Sequence, residues 1–159
     1  MLRERPDFKQ WVDLDTLRKL PASSLGGAYA EFMDRNRLDP LSRTPVRYID
    51  DEELAYVMAR YRDVHDLLHV LLSFDEVSVE SEVHLKVAES VITGLPMTVL
   101  AALVGPLRLS GPARKQLWTR VLPWARQSCS VRMLTYPYER HMADELLQVR
   151  QELGIRERH

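Results

Sequence analysis

His65, Asp66 and His69 stand within one apolar stretch, "RDVHDLLHVLL", and acidic residues follow just beyond it in "SFDEVSVESEV". On an α-helix advancing about 100° per residue, His65 and His69 lie roughly 40° apart and one turn apart in height, with Asp66 about 100° from His65. Two imidazoles at i and i+4 can share a metal ion, the arrangement of HExxH sites. Asp66 occupies the place of that motif's glutamate with one methylene fewer. It cannot simply inherit a general-base role and reads as a ligand or as the partner of one. The same spacing also suits a hydrogen-bonded core His65 and a surface His69 with no metal. His84, His141 and His159 read as surface residues.

A further carboxylate reaches the pair if the short break after Leu72 returns the chain antiparallel, because the next helix then starts beside the end of the first. Glu80, Glu82, Asp75 and Glu76 are the candidates. Periodicity selects Glu82, within about 80° of both Leu85 and Ile92 at the edge of the apolar face, whereas Glu80 lies about 160° from Leu85. Two nitrogens with carboxylate oxygens suit zinc, iron, manganese or cobalt, and free positions would make the site catalytic in type.

The elements that must hold these residues are helices. Leu54, Met58, Tyr61, His65, Leu68 and Leu72 recur at spacings of three and four, which predicts a helix over 51–72, opened by a capping box of Asp50 and Glu53. A second helix is expected over 82–103, kinked by Pro96 after Gly94. A third starts at Pro112, reaches 122 and resumes past Pro123. A last one covers 138–153 and ends at Gly154. Ahead of these, "DLDTLRKLP" reads as a short helix stopped by Pro21. "SSLGGAYAEFMDRNRL" reads as a helix capped by Ser23 or Ser24 and weakened by its glycines. Pro40 and Pro45 punctuate a loop in which 46–49 could be briefly extended. The expectation is an all-α, single-domain helical bundle over 1–159 with short loops.

The 159 residues suffice for one core without staples. A formal charge of -1 offers no electrostatic reason to expect nucleic acid. Cys129 is the only cysteine, so an internal disulfide and a cysteine-based zinc site are both excluded. The longest apolar run, 95–107, is too short to span a bilayer. "MLRERPDFKQ" lacks the apolar core of a secretory signal, and its Glu4 and Asp7 argue against a transit peptide.

The stretch "VRYIDDEELAYVMARYRDVHDLLHVLL", followed by Glu82, "ITGLPM" and "GPLRL", resembles the fourth coenzyme Q factor family of ubiquinone biosynthesis proteins. The likeness extends from "RPDF" through "LPASSLGGAYAEFMDRNRLDP" to "YERHMADELLQVRQELGI". It implies that His65, Asp66, His69 and Glu82 form the metal site and act in catalysis. Family members usually place eleven residues between the second histidine and the glutamate; twelve here imply one extra residue in the "SFDEVSVES" loop. The likeness also implies an all-helical fold; eukaryotic members carry further helices ahead of the "ERP" segment, and the expectation is a domain without them.

The implied activity is a metal-dependent oxidative decarboxylation, replacing the C1 carboxylate of a 4-hydroxy-3-methoxy-5-polyprenylbenzoate by hydroxyl, together with organisation of the ubiquinone biosynthesis complex. The alternative is a non-catalytic scaffold or lipid-binding subunit of a mitochondrial assembly. One divalent ion is implied, zinc first. The implied partners are a prenylated quinone precursor, other ubiquinone biosynthesis proteins, a second copy of the chain, and a membrane surface at the matrix side of the mitochondrial inner membrane, touched peripherally. Arg60 and Arg62 could grip the substrate carboxylate. Tyr136, Tyr138, Glu139 and Arg140 of "YPYER" could line a head-group pocket, and "TGLPMTVLAALVGP" a groove for the isoprenoid tail.

Overall fold

Short polar side chains start the helices that carry these residues. The structure, a computed structural model, describes residues 4–8, 12–42 and 44–158; the expectation for His159 lies outside them. Helix α1, Leu14–Leu17, is capped by Asp13. Helix α2, Leu25–Asn36, is capped by Ser24, whose hydroxyl accepts from the Gly27 amide at 3.1 Å. Helix α3, Glu52–Leu71, is capped by Asp51, which accepts from the Leu54 amide at 2.9 Å. The cap is thus one residue later than the expected Asp50, and Leu54 rather than Glu53 takes the third position. Helix α4, Val79–Thr93, opens on Ser78 and Ser81, each accepting the other's amide, three residues ahead of the expected start.

Gly94, at φ +63°, ends α4, and Pro96 begins α5, Pro96–Val104. The expected kink is therefore a break between two helices, because a left-handed residue cannot continue the α ladder. A 3-10 turn, Gly105–Arg108, leads to α6, Gly111–Gln116, then a π-helical stretch, Leu117–Val121, and α7, Leu122–Ser128. Pro123 has no N–H to give and crowds the carbonyl four residues back; the wider π stretch before it absorbs both, so the chain stays helical through it.

Helix α8, Arg132–Thr135, and a 3-10 turn, Tyr138–Arg140, precede α9, Leu146–Leu153. The helix expected over 138–153 is split because its middle pairs with the start of α2. The Gly26 amide donates to Met142 O, that of Leu25 to Asp144 O and that of Leu146 to Ser23 O, at 2.8 to 2.9 Å. Among the described residues the resulting Ser24–Glu145 bridge is the sole isolated β-type pairing, and 46–49 forms no strand. The fold is all-α.

The main core joins Tyr29 and Met33 of α2, Val64, Leu67 and Leu71 of α3, Leu85 of α4 and Val149 of α9. A smaller cluster joins Val83 and Val87 of α4 to Ala102, Leu117 and Val121. Leu54, expected in the apolar stripe of α3, is exposed instead. Two side chains fix the α3–α4 connection. Asn36 accepts from the Val77 amide at 3.1 Å and donates to Asp75 O at 3.4 Å. Arg150 of α9 donates to Leu71 O at 2.9 Å and Val70 O at 2.8 Å, satisfying carbonyls that the end of α3 leaves open.

The glycines of α2, expected only to weaken it, permit close approach. A Cβ on Gly27 would stand 2.0 Å from Pro21 O, a backbone atom that cannot swing away. Gly27→Ala is expected to lower stability in urea unfolding by about 2 to 3 kcal/mol. Gly111→Ala, where a Cβ meets nothing within 4 Å, is expected to be neutral within about 0.5 kcal/mol.

Candidate metal centre

His69 ends its helix against a carbonyl that can only accept. Its Nδ1 donates to Phe74 O at 2.9 Å, which leaves Nε2 to face Glu82 Oε1 at 3.1 Å, hydrogen-bonded to it without an ion and free to ligate when one is bound. His65, one turn earlier, places Nδ1 at 2.7 Å from Glu89 Oε1 and Nε2 at 3.6 Å from Glu82 Oε2. The two rings stand almost perpendicular, with centroids 5.2 Å apart, and Phe32 of α2 stacks on His69.

One donor atom each from His65, His69 and Glu82 lies within 4.8 Å of the others. Ligand atoms around a tetrahedral zinc at about 2.0 to 2.1 Å lie about 3.3 Å apart, and the two nitrogen–oxygen separations bracket that value. Both imidazoles give their other nitrogen to an oxygen, the support that metal-binding histidines ordinarily have. The residues fit a divalent ion. Glu82 leaves 35% of its side chain open.

Glu89, absent from the expected site, organises it. This carboxylate is fully buried; besides His65 it accepts from Tyr61 Oη and from Lys86 Nζ, each at 2.7 Å. Lys86 also reaches Tyr61 Oη at 3.0 Å. Glu89 lies seven residues beyond Glu82, about 20° away around α4, and so on the same face. A charge repeated at that interval on a face otherwise lined by Leu85, Ala88 and Ile92 is the signal that could have found it.

Burial works against the His65 imidazolium, but its bonds to Glu82 and Glu89 outweigh burial and push the pKa up to about 9. The two imidazoles hold Glu82 well below the usual carboxylate range. Burial would raise Glu89, yet His65 and Lys86 bring it down. In the metal-free chain the folded His65 value of about 9 exceeds the roughly 6.5 of an unfolded histidine. Its stabilisation is therefore full below about pH 6.5 and is lost as pH rises through about 9. In an NMR titration of the metal-free chain the His65 ring is expected to titrate near 9 and to fall in Glu89→Gln; a wild-type midpoint near the ordinary value would contradict this assignment.

The other expected residues lie elsewhere. Asp66 is buried and is not among the convergent donors. Glu80 is half exposed and faces His84 at 3.9 Å; Asp75 and Glu76 are exposed in the connection. His84, expected on the surface, is buried against Phe74, and burial lowers its pKa. His141 is partly exposed and pairs with Asp144 at 2.6 Å.

Arg60 does not present itself to a ligand. It is 1% exposed, paired with Glu139, and donates to Tyr136 O at 2.7 Å. Tyr138 is fully buried and donates to Met133 O, and Tyr136 donates to Glu152. Arg140 is exposed, 3.4 Å from Glu4. Arg62 lines a cleft of about 410 Å³ with Arg5, Thr44 and Tyr56, and no member of the metal cluster lines it.

The sequence profile of the coenzyme Q (ubiquinone) biosynthesis protein Coq4 matches residues 1–159. The mitochondrial ubiquinone biosynthesis protein COQ4 homologs of Bos taurus and Homo sapiens are 45% and 44% identical to the chain. The matches cover 99% and 98% of this chain but 60% and 59% of those proteins. The chain thus spans about three fifths of the length of the curated relatives it matches. A crystal structure from Nostoc punctiforme, provisionally named a ubiquinone biosynthesis protein, superposes with a TM-score of 0.72 at 20% identity. It covers 98% of this chain and 78% of its own, a likeness of fold. Profile and relatives agree over essentially the whole chain: it belongs to the Coq4 family of coenzyme Q (ubiquinone) biosynthesis proteins.

Proposed function

We propose that the chain carries the metal centre of an oxidative decarboxylase acting at C1 of a polyprenylated 4-hydroxy-3-methoxybenzoate. The observation supporting this is that Glu82 belongs to two features at once. It converges with His65 and His69, and it lines an apolar groove of about 610 Å³ with Val79, Val83, Met97, Leu100 and Val104. A prenyl tail in that groove would set its aromatic head against the cluster. Lys86, lining the same groove, brings a cation beside the head group.

A divalent ion bound there, zinc by ligand type with iron, manganese or cobalt also suited, supplies positive charge for an aryl carboxylate and an open coordination position. The ring–carboxylate bond breaks, carbon dioxide leaves, and a hydroxyl takes its place; this net oxidation requires an oxidant such as dioxygen. Glu89 keeps His65 in its tautomer and orientation, and the Phe74 carbonyl does so for His69. In this reading the chain works with other ubiquinone biosynthesis proteins, which it helps to organise, peripherally at the matrix side of the mitochondrial inner membrane. The relatives are named mitochondrial, and among the described residues no helix is long and apolar enough to cross a membrane.

One observation favours a non-catalytic scaffold: protonated His65 and ionised Glu82 satisfy each other without an ion. Elemental mass spectrometry on the untagged chain separates the two. Near-stoichiometric metal is expected, lost in His69→Ala and Glu82→Ala and kept in Glu80→Ala, with affinity reduced about 10 to 100-fold in Glu89→Gln. The loaded chain should then release labelled carbon dioxide from a carboxyl-labelled prenylated substrate. A folded wild-type chain that takes up no added divalent ion would contradict the enzyme reading and leave the scaffold.

A further inference from the structure

Helix α5 is turned inside out. Its buried positions are Thr98 and Ala102, small residues one turn apart. Its solvent side and the turn that follows carry Met97, Val99, Leu100, Leu103, Val104 and Leu107, between 39% and 71% exposed. A surface helix of a soluble domain ordinarily shows charge on that side, and a continuous apolar patch marks a surface that something covers.

The charge along this segment of the chain is one-sided. From Ser90 to Tyr138 the chain has no aspartate or glutamate but six basic residues, although the whole protein carries a formal charge of -1. Arg108 adjoins the patch and lines the groove, and Lys115 and Arg120 follow on exposed positions. The groove is continuous with the patch, since Met97, Leu100 and Val104 belong to both.

We propose that the exposed face of α5 and the adjoining 3-10 turn docks on an anionic lipid bilayer, so that the groove ending at Glu82 opens into the acyl region rather than into water. Apolar side chains flanked by cations, with Glu82 set at the groove rather than in the exposed face of α5, suit a headgroup boundary. A second copy suits this face poorly, because a two-fold interface would bring the same acid-free basic segment against itself. What enters the groove, and that the chain meets a membrane, rest on the proposed function; the face that meets it is inferred from the patch and its charge.

Vesicle flotation with the full chain tests this, using phosphatidylcholine alone and phosphatidylcholine with phosphatidylglycerol. Binding is expected on the anionic vesicles and at least about tenfold weaker on neutral ones or at high salt. Leu103→Ser combined with Leu107→Ser, both on exposed positions, should weaken it on the order of tenfold or more. Arg108→Glu should weaken binding to anionic vesicles alone. Wild-type chain that ignores anionic vesicles, or double-variant chain that binds them as well as wild type, overturns the proposal. A concentration-dependent dimer abolished by the double variant, without vesicle binding, would assign the face to a second copy. Metal content measured on the same samples separates the two readings: a zinc-loaded chain that ignores vesicles overturns docking and the peripheral placement but leaves the metal centre, and a docked chain that takes up no metal overturns the metal centre alone.

Discussion

A carboxylate sealed from water must find all its compensation inside the protein, and Glu89 is such a group. Its two oxygens are met by His65, Tyr61 and Lys86, one partner from each of three turns along α3 and α4. Breaking a buried pair of this kind by removing one member is strongly destabilising, because the remaining charge stays unpaired. The spacing of the two helices is therefore tied to the polar contacts between them. Those contacts turn His65 Nε2 toward Glu82, and the Phe74 carbonyl does the same for His69. The cluster is thus held from behind before any ion arrives, the condition for a precise site.

That arrangement depends on parts of the chain far from it in sequence. Phe74 is placed by the α3–α4 connection, and the connection is tied down by Asn36 and Arg150. Arg150 comes from α9, which is itself pinned to the start of α2 through the Ser24–Glu145 bridge. Gly27 permits the chain crossing at that point. The first and last helical segments thus bear on a cluster built in the middle of the sequence, through hydrogen bonds rather than ligand contacts.

Much of this was legible in the sequence where one periodicity dominated. Helix α3 and its two histidines followed from spacing, and Glu82 was separated from Glu80 by angle alone. Local breaks were harder. The residue after Thr93 adopts a left-handed conformation, so an expected kink became an end, while the π stretch before Pro123 turned an expected interruption into a continuous run. Arg60 and Tyr138 have types that suit substrate contact as well as ion pairing or packing, and the sequence does not separate the two. Arg60 is held by Leu134 and Glu139, more than seventy residues away, which no local pattern encodes, whereas Tyr138 bonds Met133 only five residues back. Glu89 escaped for a related reason: a glutamate in an apolar stripe reads as an edge position until a histidine, a tyrosine and a lysine are seen to surround it.

The central claim is that His65, His69 and Glu82 together ligate one ion. X-ray absorption at the zinc edge of the loaded chain measures this directly. The account predicts a shell of two imidazole nitrogens and carboxylate oxygen at about 2.0 to 2.2 Å, with one imidazole lost in His69→Ala. A zinc shell lacking imidazole, or one unchanged by that substitution, would contradict it.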